Sequence, residues 1–251
     1  MKAMADKRVF TVGTRQLECL IAGDGPVIVL VNGAGGPIEG WFRVWPELCE
    51  LGRVLAYNRP GLGRSARANA PQTGAAMVGT LRELLQAAAL PPPYVLVGHS
   101  LGGLVVNLYA RLHPADVAAV LLLESTAPDD VAAMAKLETP LQRGLRRLLD
   151  TVLPPDPLGE VAQLPNTLAQ LAAAPPFPDV PLTVLSGGKR PWLWPGARAA
   201  FDIRAMHQRQ LAQLSLRGVQ RVAERSGHFP QLSEPQIVRD ALAELLQRSA
   251  V

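Results

Sequence analysis

The sequence predicts an α/β protein built on a mostly parallel, doubly wound sheet. Short, continuously apolar runs recur along the chain, and such runs are typical of strands that are buried on both faces. Segments of helical length separate these runs, which indicates parallel strands joined by right-handed crossover helices. The chain has 251 residues, of which 48% are hydrophobic. That length suits one domain with an insertion, and that composition suits a large core.

The elements follow in a regular order along the chain. Two N-terminal strands, residues 8–12 and 16–21, are joined by Gly13-Thr14 and predict an antiparallel hairpin. The predicted buried strands are residues 27–31, 53–57, 94–97, 117–123, 182–185 and 219–223. The predicted helices are residues 41–51, 73–90, 104–111, 131–153, 197–214 and 234–248.

The segment Gly98-His99-Ser100-Leu101-Gly102 matches the pattern G-x-S-x-G between a predicted strand and a predicted helix. A chain that turns so sharply holds the residue at the tip in a strained conformation and exposes its side chain. That residue is Ser100. The first turn of the following helix also presents free N–H groups and the positive end of its dipole. The pattern therefore predicts a nucleophile whose substrate develops negative charge, although a capping serine in a glycine-rich turn is the alternative.

This motif, extended to Gly103, resembles the nucleophile elbow of the α/β-hydrolase family, and the resemblance continues from residue 27 to the C-terminus. It implies the α/β-hydrolase fold, with an N-terminal antiparallel hairpin and a small helical lid. The family usually carries His-Gly after its third strand, where this chain has Asn32-Gly33. The resemblance implies an oxyanion hole formed by the backbone N–H groups of Ala34 and Leu101. A flexible turn is the alternative for this loop. A second loop, residues 58–65, resembles the family's Asp-x-x-Gly-x-Gly-x-Ser loop with Asn58 in the acidic position, and is interpreted as structural.

A serine hydroxyl needs a base to accept its proton. Of the four histidines, His228 lies in Ser-Gly-His-Phe after the last predicted strand, which matches the family's catalytic histidine loop. The other three are His99 inside the elbow, His113 at a helix end and His207 within a helix. His228 is therefore the predicted base, and a structural loop histidine is the alternative.

The acid that orients this base is harder to assign. In most of the family it follows the strand predicted here at residues 182–185, but this chain continues Ser186-Gly187-Gly188-Lys189. Some relatives carry the acid one strand earlier, where this chain has Glu124. The predicted triad is therefore Ser100, Glu124 and His228, in the chain order that the fold requires. The alternatives for the acid are Asp202, Asp129 and Asp130.

We predict a single domain over residues 1–251, with residues 129–180 as a helical lid or cap, because prolines interrupt helical segments there. Several residues are predicted to contact substrate, although core packing is the alternative for the aromatic ones. They are Gly33, His99, Trp41, Trp192 and Trp194.

The predicted reaction is cleavage of carboxylic esters with small to medium acyl chains through an acyl-enzyme intermediate. A lactonase, an amidase or a carbon–carbon bond hydrolase could use the same triad, and an acyl transferase or a non-catalytic small-ligand receptor could share the fold. Dehalogenases and epoxide hydrolases of the family carry an aspartate at the tip of the elbow, so Ser100 argues against both.

The charge and composition of the chain limit the partners and cofactors that it is expected to bind. The net charge is +4, and the densest basic cluster (Arg143, Arg146 and Arg147) is interpreted as a solvated helix face, so no nucleic-acid partner is expected. No apolar stretch is long enough to span a bilayer, and the first residues resemble no secretory signal, which predicts a cytoplasmic protein. No cofactor or metal is expected, because the histidines lack ligand spacing. Cys19 and Cys49 are expected to be free thiols.

Overall fold

The computed structural model describes residues 6–137, 158–190 and 195–249 of the chain. Eight strands form one sheet in these residues, in the order β1-β2-β4-β3-β5-β6-β7-β8. The strands are β1 Arg8–Val12, β2 Arg15–Ala22, β3 Val27–Val31, β4 Arg53–Tyr57, β5 Tyr94–His99, β6 Val117–Leu123, β7 Leu182–Gly187 and β8 Gly218–Ala223. Strands β1 and β2 are antiparallel to each other, and β2 is antiparallel to β4. All the other neighbours are parallel, which confirms the predicted fold class.

Helices cover both faces of this sheet. They are α1 Trp45–Leu48, α2 Gly74–Ala87, α3 Leu101–Leu112, α4 Pro128–Leu137, α5 Leu164–Ala173, α6 Pro195–Ala212, α7 Pro230–Ser233 and α8 Pro235–Ser249, with 3-10 helices at Ile38–Trp41 and Pro114–Asp116. The single helix predicted over residues 41–51 is wrong, because the chain forms the first 3-10 helix and the short α1 instead. Pro46 lies in the first turn of α1. A proline is favourable there and unfavourable inside a longer helix, since it has no N–H to donate.

Two apolar layers enclose the sheet. In β3 the side chains of Val27, Val29 and Val31 belong to one layer, and Ile28 and Leu30 belong to the other. This is the two-residue alternation of a strand with both faces buried. Helices α2 and α3 cover the first layer, and α1 and α8 cover the second.

The predicted lid segment is described in part. Helix α4 begins it, and α5 packs against α2 and α3 on one flank of the sheet. Thr167 Oγ1 accepts a hydrogen bond from the Gly74 N–H at 2.9 Å, and Gln170 Oε1 accepts one from Ala75 at 2.8 Å. Helix α5 therefore satisfies free N–H groups at the start of α2. Residues 138–157, with the basic cluster predicted there, lie outside the described residues, and the assignment of 129–180 as a lid stays a prediction.

Both cysteines are free. Burial raises the pKa of the Cys19 thiol to about 12, so this thiol stays protonated at neutral pH. Within the part of the chain that the structure describes, no helix is both long and apolar enough to cross a membrane.

Candidate active site

Ser100 stands at the tip of a strained turn between β5 and α3. Its φ and ψ are 52° and −121°, a region that a residue with a side chain seldom adopts. The turn is tight because α3 lies against the end of β3. A Cβ atom on Gly102 would lie 2.2 Å from the Val31 carbonyl oxygen, so only glycine fits there. The Ser100 main chain is also fixed by its N–H, which donates to the Leu123 carbonyl at 3.2 Å.

The glycine-rich loop after β3 lies directly beside this serine. A Cβ on Gly33 would be 3.0 Å from Ser100 Cβ. The Asn32 side chain faces its own loop and donates to the Pro37 carbonyl at 2.8 Å. Neither the Ala34 nor the Leu101 N–H donates to another group within the described residues. Within the described residues, both N–H groups are therefore without a hydrogen-bond acceptor.

His228 lies between Ser100 and Glu124. Its Nε2 atom is 3.1 Å from Ser100 Oγ, and its Nδ1 atom is 3.3 Å from Glu124 Oε2. Glu124 follows β6, adopts a positive φ of 42° and is buried. Its other oxygen, Oε1, accepts the Gly187 N–H at 2.8 Å. The three predicted triad residues are thus in one hydrogen-bonded row beyond the carboxyl ends of β5, β6 and β8.

The alternative acids lie elsewhere. Asp202 and Asp129 are exposed. Asp130 is buried but bonds to His207 Nδ1 at 2.6 Å and to the Ala127 N–H at 3.0 Å. The geometry therefore favours Glu124 over these three.

Arg204, on helix α6, contacts the acid. Its Nη2 atom lies 2.9 Å from Glu124 Oε2, 3.2 Å from the Glu124 carbonyl oxygen and 3.3 Å from His228 Nδ1. Burial by itself would raise the pKa of the Glu124 carboxyl. The hydrogen bond from His228, the positive charge of Arg204 and the Gly187 N–H outweigh burial and hold this pKa below its ordinary value. Glu124 is therefore ionised at neutral pH.

A pocket of about 180 Å³ opens on this side of the site. Its lining includes Glu124, His228, Arg204 and the cationic Lys189. Arg204 therefore reaches the acid from a solvent-facing cleft, and its side chain is 33% exposed.

His99 supports the histidine loop. Its Nε2 atom is 2.8 Å from the His228 carbonyl oxygen. Burial is the main cause that lowers the pKa of His99 to about 4, so the ring is neutral at pH 7. A carbonyl oxygen only accepts, so the neutral ring must carry its proton on Nε2. His99 therefore fixes the backbone of the predicted base without adding charge beside it.

The residues predicted to contact substrate have different surroundings. Trp41 is fully buried, belongs to one of the two apolar layers and meets the His99 ring edge-on at 6.5 Å. This burial favours the packing alternative for Trp41. His99 is also buried, and Gly33 lies against Ser100. Trp192 and Trp194 lie outside the described residues.

Sequence reasoning missed two ionic contacts. Arg204 reaches Glu124 from a helix that begins more than 70 residues later in the chain. Arg59 and Glu160 form a buried ion pair beneath the glycine-rich loop. Neither pair has a sequence signal, because an isolated charge in a helix or a loop usually faces solvent.

These features define a class of protein: an α/β sheet that presents a serine on a strained strand-to-helix turn, with a histidine in hydrogen-bonding reach. The model of the alpha/beta hydrolase family matches residues 28–241. The chain therefore belongs to the alpha/beta hydrolase family.

The individual proteins that this chain resembles share low sequence identity with it. YqjL, an uncharacterised protein of Bacillus subtilis strain 168, is 28% identical over 167 residues, which cover 66% of this chain and 63% of YqjL. This chain thus spans less than two thirds of the length of the first curated relatives it matches. Among solved structures, a thermophilic esterase of Thermogutta terrifontis has a TM-score of 0.68 at 20% identity, over 98% of this chain and 100% of that one. The enol-lactonase of Burkholderia xenovorans LB400 has a TM-score of 0.68 at 21% identity, over 96% and 100%. At these identities the likeness shows the fold.

Proposed function

We propose that this protein is a serine hydrolase that cleaves carboxylic esters with small to medium acyl chains. In this proposal Ser100 is the nucleophile, His228 the base and Glu124 the acid that orients it. The observation that carries it is the position of the His228 ring, with Nε2 3.1 Å from Ser100 Oγ and Nδ1 3.3 Å from Glu124 Oε2. These two contacts let one imidazole accept the serine proton and share its positive charge with a carboxylate.

The tautomer of His228 decides whether it can act as a base. With its proton on Nδ1 donated to Glu124, Nε2 has a free lone pair for the Ser100 hydroxyl. Arg204 Nη2 also lies near Nδ1, but a guanidinium only donates, so it would favour the unproductive tautomer. The shorter contact of Arg204 to Glu124 Oε2, at 2.9 Å, directs it to the acid instead. The ionised Glu124 thereby selects the productive tautomer.

The reaction follows from these contacts. Ser100 Oγ attacks the ester carbonyl while its proton moves to His228 Nε2. The imidazolium then protonates the leaving alcohol, and an acyl-Ser100 ester remains. Water attacks this ester with His228 again as base, which releases the acid and restores the serine.

The negative charge of each tetrahedral intermediate needs donors near Ser100. The N–H groups of Ala34 and Leu101 are the proposed pair, since neither is engaged within the described residues. Leu101 directly follows the serine, and Ala34 directly follows Gly33, which lies beside it. Leu101 adds the positive end of the α3 dipole. Backbone donors of this kind are each worth about 10² to 10³ in rate.

The test is hydrolysis of p-nitrophenyl esters from acetate to palmitate by the wild type and by Ser100→Ala. We expect turnover that peaks at short or medium chains and falls by at least about 10³-fold in the variant. A matched control is Ser215→Ala, because Ser215 is another buried serine and its hydroxyl bonds to the Val180 carbonyl, away from the site.

Equal activity in Ser100→Ala and the wild type would contradict the proposal. A folded wild type without activity on any ester would shift the assignment to lactone, amide or carbon–carbon substrates.

A further inference from the structure

Residues 32–36, here called the glycine loop, are bonded through their backbone to the side chains of Arg59 and Glu160. Arg59 Nη1 donates to the Asn32 carbonyl at 2.7 Å, and its Nη2 donates to the Gly33 carbonyl. Glu160 Oε2 accepts the Gly35 N–H at 2.9 Å. These contacts cover the backbone on both sides of Ala34.

A peptide group is planar and trans, so its C=O and N–H point in opposite directions. The carbonyl of Gly33 and the N–H of Ala34 belong to one such plane. Arg59 binds that carbonyl, which also accepts the Gly36 N–H at 3.1 Å, and Arg59 thereby helps to set the direction of the Ala34 N–H. Glu160 does the same for the next plane, because the Gly35 N–H that it binds shares a plane with the Ala34 carbonyl.

The two side chains also bind each other. Arg59 Nε donates to Glu160 Oε1, and Arg59 Nη2 donates to Glu160 Oε2 at 2.9 Å, a forked contact. Arg59 is 2% exposed and Glu160 is 1% exposed. Burial would lower the pKa of Arg59, but the contact with Glu160 raises it, so the arginine stays charged. A buried pair of this kind is a costly way to stabilise a fold, because apolar residues of similar volume often do as well.

We propose that Arg59 and Glu160 are positioning residues that aim the Ala34 N–H at the oxyanion beside Ser100. This inference rests on the proposed hydrolysis, in which Ala34 is one of two oxyanion donors. It also joins two distant parts of the chain, since Glu160 belongs to the segment predicted as the lid. In this proposal the orientation of the Ala34 N–H therefore depends on the position of Glu160.

The decisive variant is the double substitution Arg59→Met with Glu160→Met. It removes both charges together, so no unpaired buried charge is left, and it keeps similar side-chain volume. We expect the folded double variant to lose about 10² in kcat, with KM changed by less than about threefold. Affinity for an alkyl boronic acid, which forms a tetrahedral adduct with the serine, should fall in parallel with kcat.

Three single variants keep the test decisive if the double variant does not fold. Glu160→Gln keeps an acceptor for the Gly35 N–H and should retain most of kcat, whereas Glu160→Ala should not. Arg59→Lys keeps the charge but cannot serve Asn32, Gly33 and Glu160 together, so kcat should fall by about tenfold. The matched control is Glu18→Gln, because Glu18 is also buried and paired to an arginine, Arg64, without touching the glycine loop.

A folded double variant, or Arg59→Lys, with wild-type kcat and boronate affinity would overturn the inference.

If the wild type hydrolyses no ester, the proposed function has failed. The inference is then tested by the rate at which a fluorophosphonate labels Ser100, because this reaction also builds charge on an oxygen in the oxyanion hole. Slower labelling in the double variant would support the inference, and equal labelling would overturn it. A wild type that is not labelled at Ser100 would overturn both proposals.

Discussion

The two halves of the site are built in different ways. The nucleophile half, Ser100 and its turn, is fixed by the backbone: a strained φ of 52°, a helix packed against β3 and a main-chain bond to Leu123. The acid half, His228 and Glu124, is fixed by side chains and includes a contact from Arg204 on a separate helix. The nucleophile half therefore depends on backbone geometry, and the acid half depends on side-chain contacts and on charge.

The largest expected effect is in the acid half. Glu124→Gln keeps the size of the side chain but removes the charge that stabilises the imidazolium and selects its tautomer. We expect kcat/KM for a p-nitrophenyl ester to fall by up to about 10⁴-fold, with the fold retained. The comparison variant is Asp202→Asn, which should stay near the wild type because Asp202 is exposed. The reverse ranking would show that the acid is misassigned.

His99 belongs to the nucleophile half by sequence but bonds to the backbone of His228. Its pKa of about 4 in the folded protein lies below the ordinary 6.5, so between these values the unfolded chain binds a proton that the folded chain does not. The stability that this group contributes is therefore complete above pH 6.5 and is lost as the pH falls toward 4. We expect the free energy of unfolding to fall by about 2 kcal/mol between pH 7 and pH 5 on this account, as measured by urea denaturation.

The His99→Gln variant should lose most of that dependence on pH. The control is His113→Gln, because burial lowers the pKa of His113 too, but that residue is only partly buried and stands far from the site. An identical pH dependence in His99→Gln and the wild type would mean that His99 is not the group responsible.

Arg204 gives a smaller effect on the acid half. Arg204 helps to hold the pKa of Glu124 below its ordinary value, so removing its charge in Arg204→Gln should let Glu124 take up a proton at higher pH. This change moves the acid limb of the profile of kcat/KM against pH upward. We expect a loss of roughly threefold to tenfold at pH 5.5 and of less than about twofold at pH 8. Arg198→Gln, an exposed change on the same helix, should leave the acid limb in place, and an unmoved limb in Arg204→Gln would contradict the electrostatic role.

The smallest effect tests the strain in the nucleophile half. Glycine adopts a φ of 52° without a clash, so Ser100→Gly should be more stable than Ser100→Ala by about 1 kcal/mol in urea denaturation. The opposite order is expected at Ala110 inside α3, where Ala110→Gly should destabilise by about 1 kcal/mol. A Ser100→Gly variant less stable than Ser100→Ala would show that the turn is not strained.

Much of the fold could be predicted from sequence, and for physical reasons. The continuous apolar runs of β3, β5, β6 and β7 report strands buried on both faces, and G-x-S-x-G reports a turn that only glycine permits. Both signals are local. The helix predicted over residues 41–51 is wrong because the amphipathic pattern there gave no weight to Pro46, which is favourable only in the first turn of a helix.

The ionic part of the site could not be predicted in this way. Arg204 lies 80 residues from Glu124, and Arg59 lies 101 residues from Glu160. Each pair forms because the fold brings together two charges that are far apart in the sequence, and nothing near either residue in the sequence distinguishes it from a charge that only faces water. The resemblance to the family and the place of Glu124 at the end of a buried strand predict it as the acid.

The end of β7 also restricts where the proposed acid can stand. The strand end that carries the acid in most of the family holds Gly187 here, and its N–H is bonded to Glu124. A Cβ atom at this position would lie 2.3 Å from the Gly227 carbonyl oxygen, in the loop that carries His228. A carboxylate side chain at residue 187 would therefore collide with the loop that carries the proposed base. In the proposed triad, a substitution at Gly187 alone therefore cannot move the acid from residue 124 to residue 187, because the backbone at Gly227 would also have to shift.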